Sequence, residues 1–469
     1  MNVFKMAGSI NSFAVASWLA ISERCKPISF TKPQQIAYWS EKAKDNEIIK
    51  EYLGTNALYR YFPPAPGSRL DEGFNGPNFI RKIEKPKTSI GVTDIIEVSR
   101  YVPISWKDYH ICTFRNNLNK IGGTISSPKE PWSIITVREG NVLFLEVVDN
   151  PDKQSYNDAA FLSYQGSKFE SICTGRQLVD LNESFVSVVR YRLGAMKLLM
   201  AAEIDCTRTT DPSPFSDHIF QGRESAISNP RIENYVELKT QVKRDDNYRG
   251  NMAQKMPKWW LQSFIAGVPV ITVGVRNPNG SLSGTEDFDV QNLPLVSKRE
   301  GCGFDGWRTL RFIEAVLTWM YDKAAELGGE GERVDQGPKT QTEWVEKEQG
   351  RVSVKREREK CSNDDDEEEN RRYQRIRGSK TKMYEAVRFD YLPNLMEIRA
   401  SIVEETANEK NGSSSSNEKG PEKVTRINER EGQKVEVPTK SYAMAENVRE
   451  SIATAARYRD GGRAGRGKR

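Results

Sequence analysis

Histidine is almost missing from this chain: 469 residues contain two, His110 and His218. A zinc site of several imidazoles or a Ser-His-Asp triad therefore has almost no material to draw on. Cysteine is sparse as well, with six residues widely scattered and no C-x-x-C pair. That excludes a disulfide scaffold and points to a reducing compartment. Long hydrophobic runs are absent too, since a membrane span needs about 18 apolar residues. The nearest stretch, "MAGSINSFAVASWLA", is interrupted by Ser and Asn, and neither a membrane partner nor a secretory leader is expected. A charge excess is also lacking in the body, because the net +5 is supplied entirely by the last thirteen residues, "RYRDGGRAGRGKR". Any grip on nucleic acid by the body must come from local placement of charge.

What is present is a long stretch of ordinary globular sequence from about residue 26 to 327. Strand character appears in "WSIITV", "NVLFLEVV", "VSVVRYRL", "LLMAAEIDC", "YVELKT" and "PVITVGVR". "KWWLQSFIAG" and "GWRTLRFIEAVLTWMYDKAAEL" read as helices, the second with Leu310, Ile313, Leu317 and Met320 on one stripe. This mixture predicts an α/β, mixed α+β, domain. The expected organisation is an N-terminal extension over 1–25 and one catalytic domain over 26–400. A charged insertion interrupts that domain at 328–380, and a low-complexity tail with a basic Gly/Arg end fills 401–469. That end suits RNA phosphates, a targeting signal or simple solvation equally.

The chemistry must then rest on carboxylates and lysine. Within "LLMAAEIDCT", Glu203 and Asp205 stand two apart, so in a strand they share one face while Ala202, Ile204 and Cys206 line the other. "YVELKT" repeats the device with Glu237 and Lys239. If the two strands lie side by side in one sheet, three carboxylates and an ammonium converge. Such a patch repels itself unless divalent cations neutralise it, and oxygen ligands without histidine suit Mg²⁺ or Mn²⁺. Two such ions can hold the attacking and leaving oxygens of a displacement at phosphorus. A lone E-x-D is more often a solvated strand edge, and a lone E-x-K a surface ion pair. Here both have apolar opposite faces, and a third piece, "YQGSKFE", offers Glu170 with Gly166 permitting close backbone approach. Arg115 and Lys120 are either phosphate grips or a surface pair on a polar loop. Gln262 is either a core amide or a group reaching the site.

The order of these motifs resembles the DXO family of RNA 5′-end quality-control enzymes. The resemblance rests on the Arg115 region, "GSKFE", "AEIDC", "YVELKT", "KWWLQSFIAGVP" and "GVRN", over about residues 30 to 327. It implies two β-sheets flanked by helices with a deep central active-site pocket. It further implies metal-dependent removal of incomplete or non-standard caps and 5′ triphosphate, followed in some members by 5′-to-3′ degradation. By resemblance, Glu170, Glu203, Asp205, Glu237 and the Leu238 carbonyl hold two divalent ions. Glu170, Glu203 and Lys239 carry the catalysis, while Arg115, Glu203, Lys239 and Gln262 contact the RNA 5′ end. A nuclear location, alone or together with a cytoplasmic one, and a nuclear 5′-to-3′ exoribonuclease as partner follow from the same likeness. Asn116, Ser167 and Asn277 depart from the family pattern and bear on which 5′ end is preferred.

Two competing readings are carried forward: a mainly non-catalytic stabilising partner of that exoribonuclease, and a DNA nuclease using the same carboxylates.

Overall fold

Alternation of β-branched and aromatic residues with polar ones produces two principal sheets, and the chain passes from one to the other in the middle of the acidic motif. The computed structural model describes residues 11–21, 28–84, 90–148, 157–208, 230–327 and 386–403, together with 425–427, 434–436, 444 and 447–455. In chain order the first elements are β1 (Ser12–Ala14), α1 (Val15–Ile21), β2 (Gln34–Lys44), β3 (Glu47–Tyr52), β4 (Phe79–Ile80) and α2 (Val92–Val98). Then come β5 (Ile111–Phe114), α3 (Arg115–Ser126), β6 (Trp132–Glu139), β7 (Val142–Val148), α4 (Asn157–Cys173) and β8 (Val179–Asp180). The centre holds β9 (Ser184–Leu193), β10 (Met196–Ile204), β11 (Cys206–Thr207), β12 (Tyr235–Val242), α5 (Tyr248–Ala253) and α6 (Met256–Ala266). The remainder is β13 (Val270–Arg276), β14 (Leu282–Asp289), α7 (Leu293–Arg299), α8 (Gly306–Leu327), β15 (Ala386–Leu392) and β16 (Glu397–Val403).

The large sheet has ten strands in the order β1-β16-β15-β6-β7-β5-β10-β9-β2-β3, and the small one four, β11-β12-β13-β14. β5 runs parallel to both β7 and β10, and β12 runs parallel to β13. The tight β2–β3 hairpin turns through Asp45 and Asn46, both at positive φ, as a two-residue turn of matching twist requires. One face of the large sheet packs on α3, α6 and α8, whose stripe of Leu310, Ile313, Leu317 and Met320 is fully buried. Gly122 lets α3 approach closely, since a Cβ there would lie 2.6 Å from Leu261 and 2.8 Å from Ile313. A third core joins α4 to the small sheet through Phe169, Cys173, Cys206, Val236 and Leu238.

Packing moves the boundaries drawn from composition. Within the expected N-terminal extension, β1 pairs with β16, and Phe13, Val15 and Trp18 are buried in the first core. Within the expected tail, helical residues 447–455 lay Val448 and Ala455 into the second core with Met444, on the α2 side of the large sheet. Arg449 pairs there with Glu139 at 3.4 Å. Three buried residues spaced at helical intervals are too few to stand out in a polar sequence. The charged insertion at 328–380 and the Gly/Arg end lie outside the described residues.

Candidate active site

β10 ends at Ile204 and β11 begins at Cys206, so Asp205 is the single residue that bridges the two sheets. Ala202 and Ile204 enter the first core, as the alternation predicts. Glu203 pairs in register with Val186 of β9, not with β12. Pairing with β12 starts only at Cys206, opposite Val236. The expectation that the two acidic strands lie side by side in one sheet is thus corrected. β10 already has β5 and β9 as neighbours, so the carboxylates meet across a junction of sheets. Asp205 is tied to the second strand directly: its Oδ2 accepts the Leu238 N–H at 2.7 Å.

On β12, Val236 and Leu238 face α4, while Glu237 turns to the opposite side and is 1% exposed. Three donors converge on its carboxylate. Lys239 Nζ lies 2.5 Å from Oε1, Arg115 donates to Oε2 at 3.0 Å, and the Gln262 amide donates to Oε1. Arg115 opens α3 directly after β5, so it is a buried residue at a helix start and not part of a polar loop. Asn117 fixes that corner by donating to Thr113 Oγ1 and to the Leu145 carbonyl, both at 2.9 Å. Gln262 projects from α6 past the buried Trp259 and Trp260, which are core residues. Lys120 lies further along α3 and is half-buried, so it too is a helical residue and not part of a polar loop.

"YQGSKFE" is helical. Glu170 sits near the end of α4, one residue beyond the buried Phe169. Gly166 is mid-helix, and a Cβ there would meet nothing within 4 Å, so close backbone approach is not its role. The close approach occurs at Gly274 instead, where a Cβ would come within 2.5 Å of the Phe169 ring. Among the three departures from the family pattern, Asn116 is exposed on α3 and Ser167 is bonded back within α4. Asn277 closes the β13–β14 turn through Ser281 and Ser283.

The electrostatics follow from this crowding. Burial, reinforced by the charge of Glu203, pushes Glu170 up to about 7. Burial, with Glu237 and Glu170, raises Asp205 well above the carboxylate range. Glu203 is open to solvent on one side yet ringed by protein, and the loss of bulk water raises it despite Arg115 and Lys82. Glu237 goes the other way: burial opposes its charge, but Lys239 and Arg115 outweigh that and hold it below its ordinary value. Burial likewise opposes the charge of Lys239, and Glu237 and Asp205 keep it protonated.

Four mutually repelling carboxylates with no histidine form the donor set of a hard divalent cation, and such a cation would relieve the raised acids. As the side chains stand, no three His, Cys, Asp or Glu among the described residues are gathered closely enough to hold a metal ion. The cause is visible: Glu237 is engaged by three donors and Asp205 by the Leu238 N–H. The Leu238 N–H bond to Asp205 also places the peptide of Leu238 beside the acids, where the resemblance assigns its carbonyl. The donors fit a metal, with Glu237 the group that must exchange partners.

The sequence model of the RAI1-like PD-(D/E)XK nucleases matches residues 31–385. The chain belongs to that family. Glu237-Leu238-Lys239 supplies the (D/E)XK element of the name, on the strand just described. The chain is similar to the Homo sapiens "Decapping and exoribonuclease protein", 26% identical over 320 residues, which are 62% of this chain and 74% of the human one. It is also similar to Schizosaccharomyces pombe "Decapping nuclease din1", 26% identical over 323 residues, covering 63% of this chain and 87% of the yeast protein. The fold is shared with Candida albicans Rai1, solved in complex with pU5-Mn2+, at TM-score 0.55 and 18% identity over 80% of this chain and 90% of that one.

Two cations of this nuclease site had no signal in the sequence. Arg176, just after α4, and Lys82, after β4, oppose the raising of Glu170 and Glu203 respectively. Neither falls in a motif or a periodic run, and only folding brings them near the acids.

Proposed function

We propose that this nuclease is a metal-dependent hydrolase of RNA 5′ ends, removing incomplete or non-standard caps and 5′ triphosphate in mRNA quality control. The observation that carries the reading is the joining of Glu237-Leu238-Lys239 to Asp205 and Glu170 across the sheet junction, in a family whose named relatives are decapping nucleases. Glu170, Glu203, Asp205 and Glu237 would hold two divalent ions, Mg²⁺ or Mn²⁺, which supply charge neutralisation at phosphorus and an acidified water. The manganese in the Candida albicans complex supports that choice.

The chain's own groups do the rest. Lys239, kept cationic, places a positive charge where phosphoryl oxygens accumulate negative charge. Gln262 and Arg115, released from Glu237, donate to the non-bridging oxygens, with the Arg fork fixing orientation. The 5′ end enters the junction between the sheets, and 5′-to-3′ trimming follows if the shortened RNA re-enters. The family match over 31–385, packed with residues 12–21, 444 and 447–455, would form the catalytic unit. A nuclear location and association with a 5′-to-3′ exoribonuclease belong to the same proposal and rest on the family likeness.

The test is incubation with Mn²⁺ and RNAs differing only at the 5′ end, alongside DNA ends, with the small product identified. A released cap dinucleotide, pyrophosphate or mononucleotide from RNA supports the reading. Hydrolysis of DNA alone, or full activity in the Glu203→Ala/Asp205→Ala double variant, overturns it.

A further inference from the structure

The strand that carries Glu237 and Lys239 continues past the acidic cluster. Gln241 follows on the same face, two residues or roughly 7 Å beyond Lys239. It is 2% exposed, and its Oε1 accepts from the Lys255 ammonium at 2.9 Å. Val242 then pairs with Arg276 at the ends of β12 and β13, and the Lys243 N–H bonds the Arg276 carbonyl at 2.7 Å. Lys243, Arg244, Lys255 and Arg276 are thereby gathered at one end of the small sheet. Burial and the charge of Arg276 hold the Lys255 amine below its usual range, and burial and Arg244 do the same to Arg276.

Cations beside this sheet have carboxylate partners on β14: Arg208, after β11, pairs with Asp287 at 2.9 Å, and Arg249, on α5, with Glu286 at 3.0 Å. Among the described residues none of Lys243, Arg244, Lys255 and Arg276 is in an ion pair, and the Arg276 Nε is buried without a hydrogen-bond partner. Asp245 and Asp246, next in sequence, are exposed and bridge to none of them. Lys243, Arg244 and Lys255 reach solvent, but like charges gathered in one place repel and the buried Arg276 Nε–H stands unmet, and an anion would satisfy both.

Resting on the reading above, we infer that Lys255 and Arg276, rimmed by Lys243 and Arg244, hold the phosphodiester that follows the scissile one in single-stranded RNA. The contact is to the backbone and independent of base sequence. Lys239 acts on one phosphate, and the cations gathered around the end of its strand, from β13 and the start of α6, meet the next.

The test uses the full chain with Mn²⁺ and two RNAs sharing one 5′ end: a dinucleotide, which stops just past the scissile phosphate, and a longer oligonucleotide. Lys255→Gln and Arg276→Gln each raise KM for the longer RNA roughly tenfold with kcat held. They flatten the log–log salt dependence of that KM by about 0.7 per lost contact. On the dinucleotide both match wild type. Equal losses on the two RNAs, or no change on the longer one, overturn the inference. If wild type hydrolyses neither RNA, the proposed function fails, and the site is read from binding of labelled RNA in Ca²⁺. There a roughly tenfold rise in Kd for Lys255→Gln supports it and an unchanged Kd overturns it. Lys255 is only half enclosed and belongs to no strand, so its variant carries the test if Arg276→Gln disturbs the strand end.

Discussion

The ring of Phe169 lies over Gly274, so close that a Cβ on Gly274 would stand 2.5 Å from the ring's Cε2. Phe169 precedes Glu170 on α4, and Gly274 belongs to β13, so this contact sets the height of the helix that carries one acid. Gly274→Ala is expected to destabilise the protein by about 1–3 kcal/mol through overpacking and to lower hydrolysis further by lifting Glu170. Adding Phe169→Leu should restore part of both, read from thermal melts and initial rates.

Glu203 and Glu237 differ in structural load. Glu203 is exposed on one side, whereas Glu237 is buried against Lys239 and Arg115. Glu203→Gln should abolish hydrolysis with the melting temperature almost unchanged. Glu237→Ala should abolish it as well and cost about 3–5 kcal/mol, because it strands two cations. Paired melts and activity assays separate the two.

Glu170 sets a pH dependence. Its carboxyl is pushed from the ordinary 4.5 up to about 7 by burial and by Glu203. Between those values the folded state keeps a proton that the unfolded chain gives up, so metal-free stability falls as pH rises through that window and levels off above it. Glu170→Gln removes the effect. Its melting temperature should exceed that of the metal-free parent at pH 8, by on the order of 1–3 kcal/mol of stability, and equal it near pH 4.

Loading with metal should expel the same protons. Mn²⁺ binding requires Glu170 and Asp205 as carboxylates, so apparent affinity should rise with pH up to about 7. Calorimetry in buffers of different ionisation enthalpy should detect proton release at pH 6 and less at pH 8. Equal enthalpies in all buffers at pH 6 would contradict the linkage.

The C-terminal helix is a structural part. Val448 is fully buried in the second core. Val448→Asp places an unpaired carboxylate there and should lower stability by several kcal/mol, on the order of 2–5.

Much was legible from residue order alone. Alternation along "AEIDC" and "YVELKT" determined which side chains are core and which are polar, because a strand's period of two holds whatever sheet it joins. The stripe in α8 was equally plain, since 3.6-residue spacing specifies a buried face without naming its partner. The scarcity of histidine and the E-x-D and E-x-K pairs pointed to carboxylate and lysine chemistry. Only tertiary structure decided that the two pairs belong to different sheets, because Asp205 ends one ladder and the next begins a residue later. It also decided that Glu170 arrives on a helix, that Arg115 and Gln262 reach Glu237, and that Arg176 and Lys82 stand near the acids. Those relations depend on which strand pairs with which. That is settled by long-range packing and leaves no periodic trace in the chain.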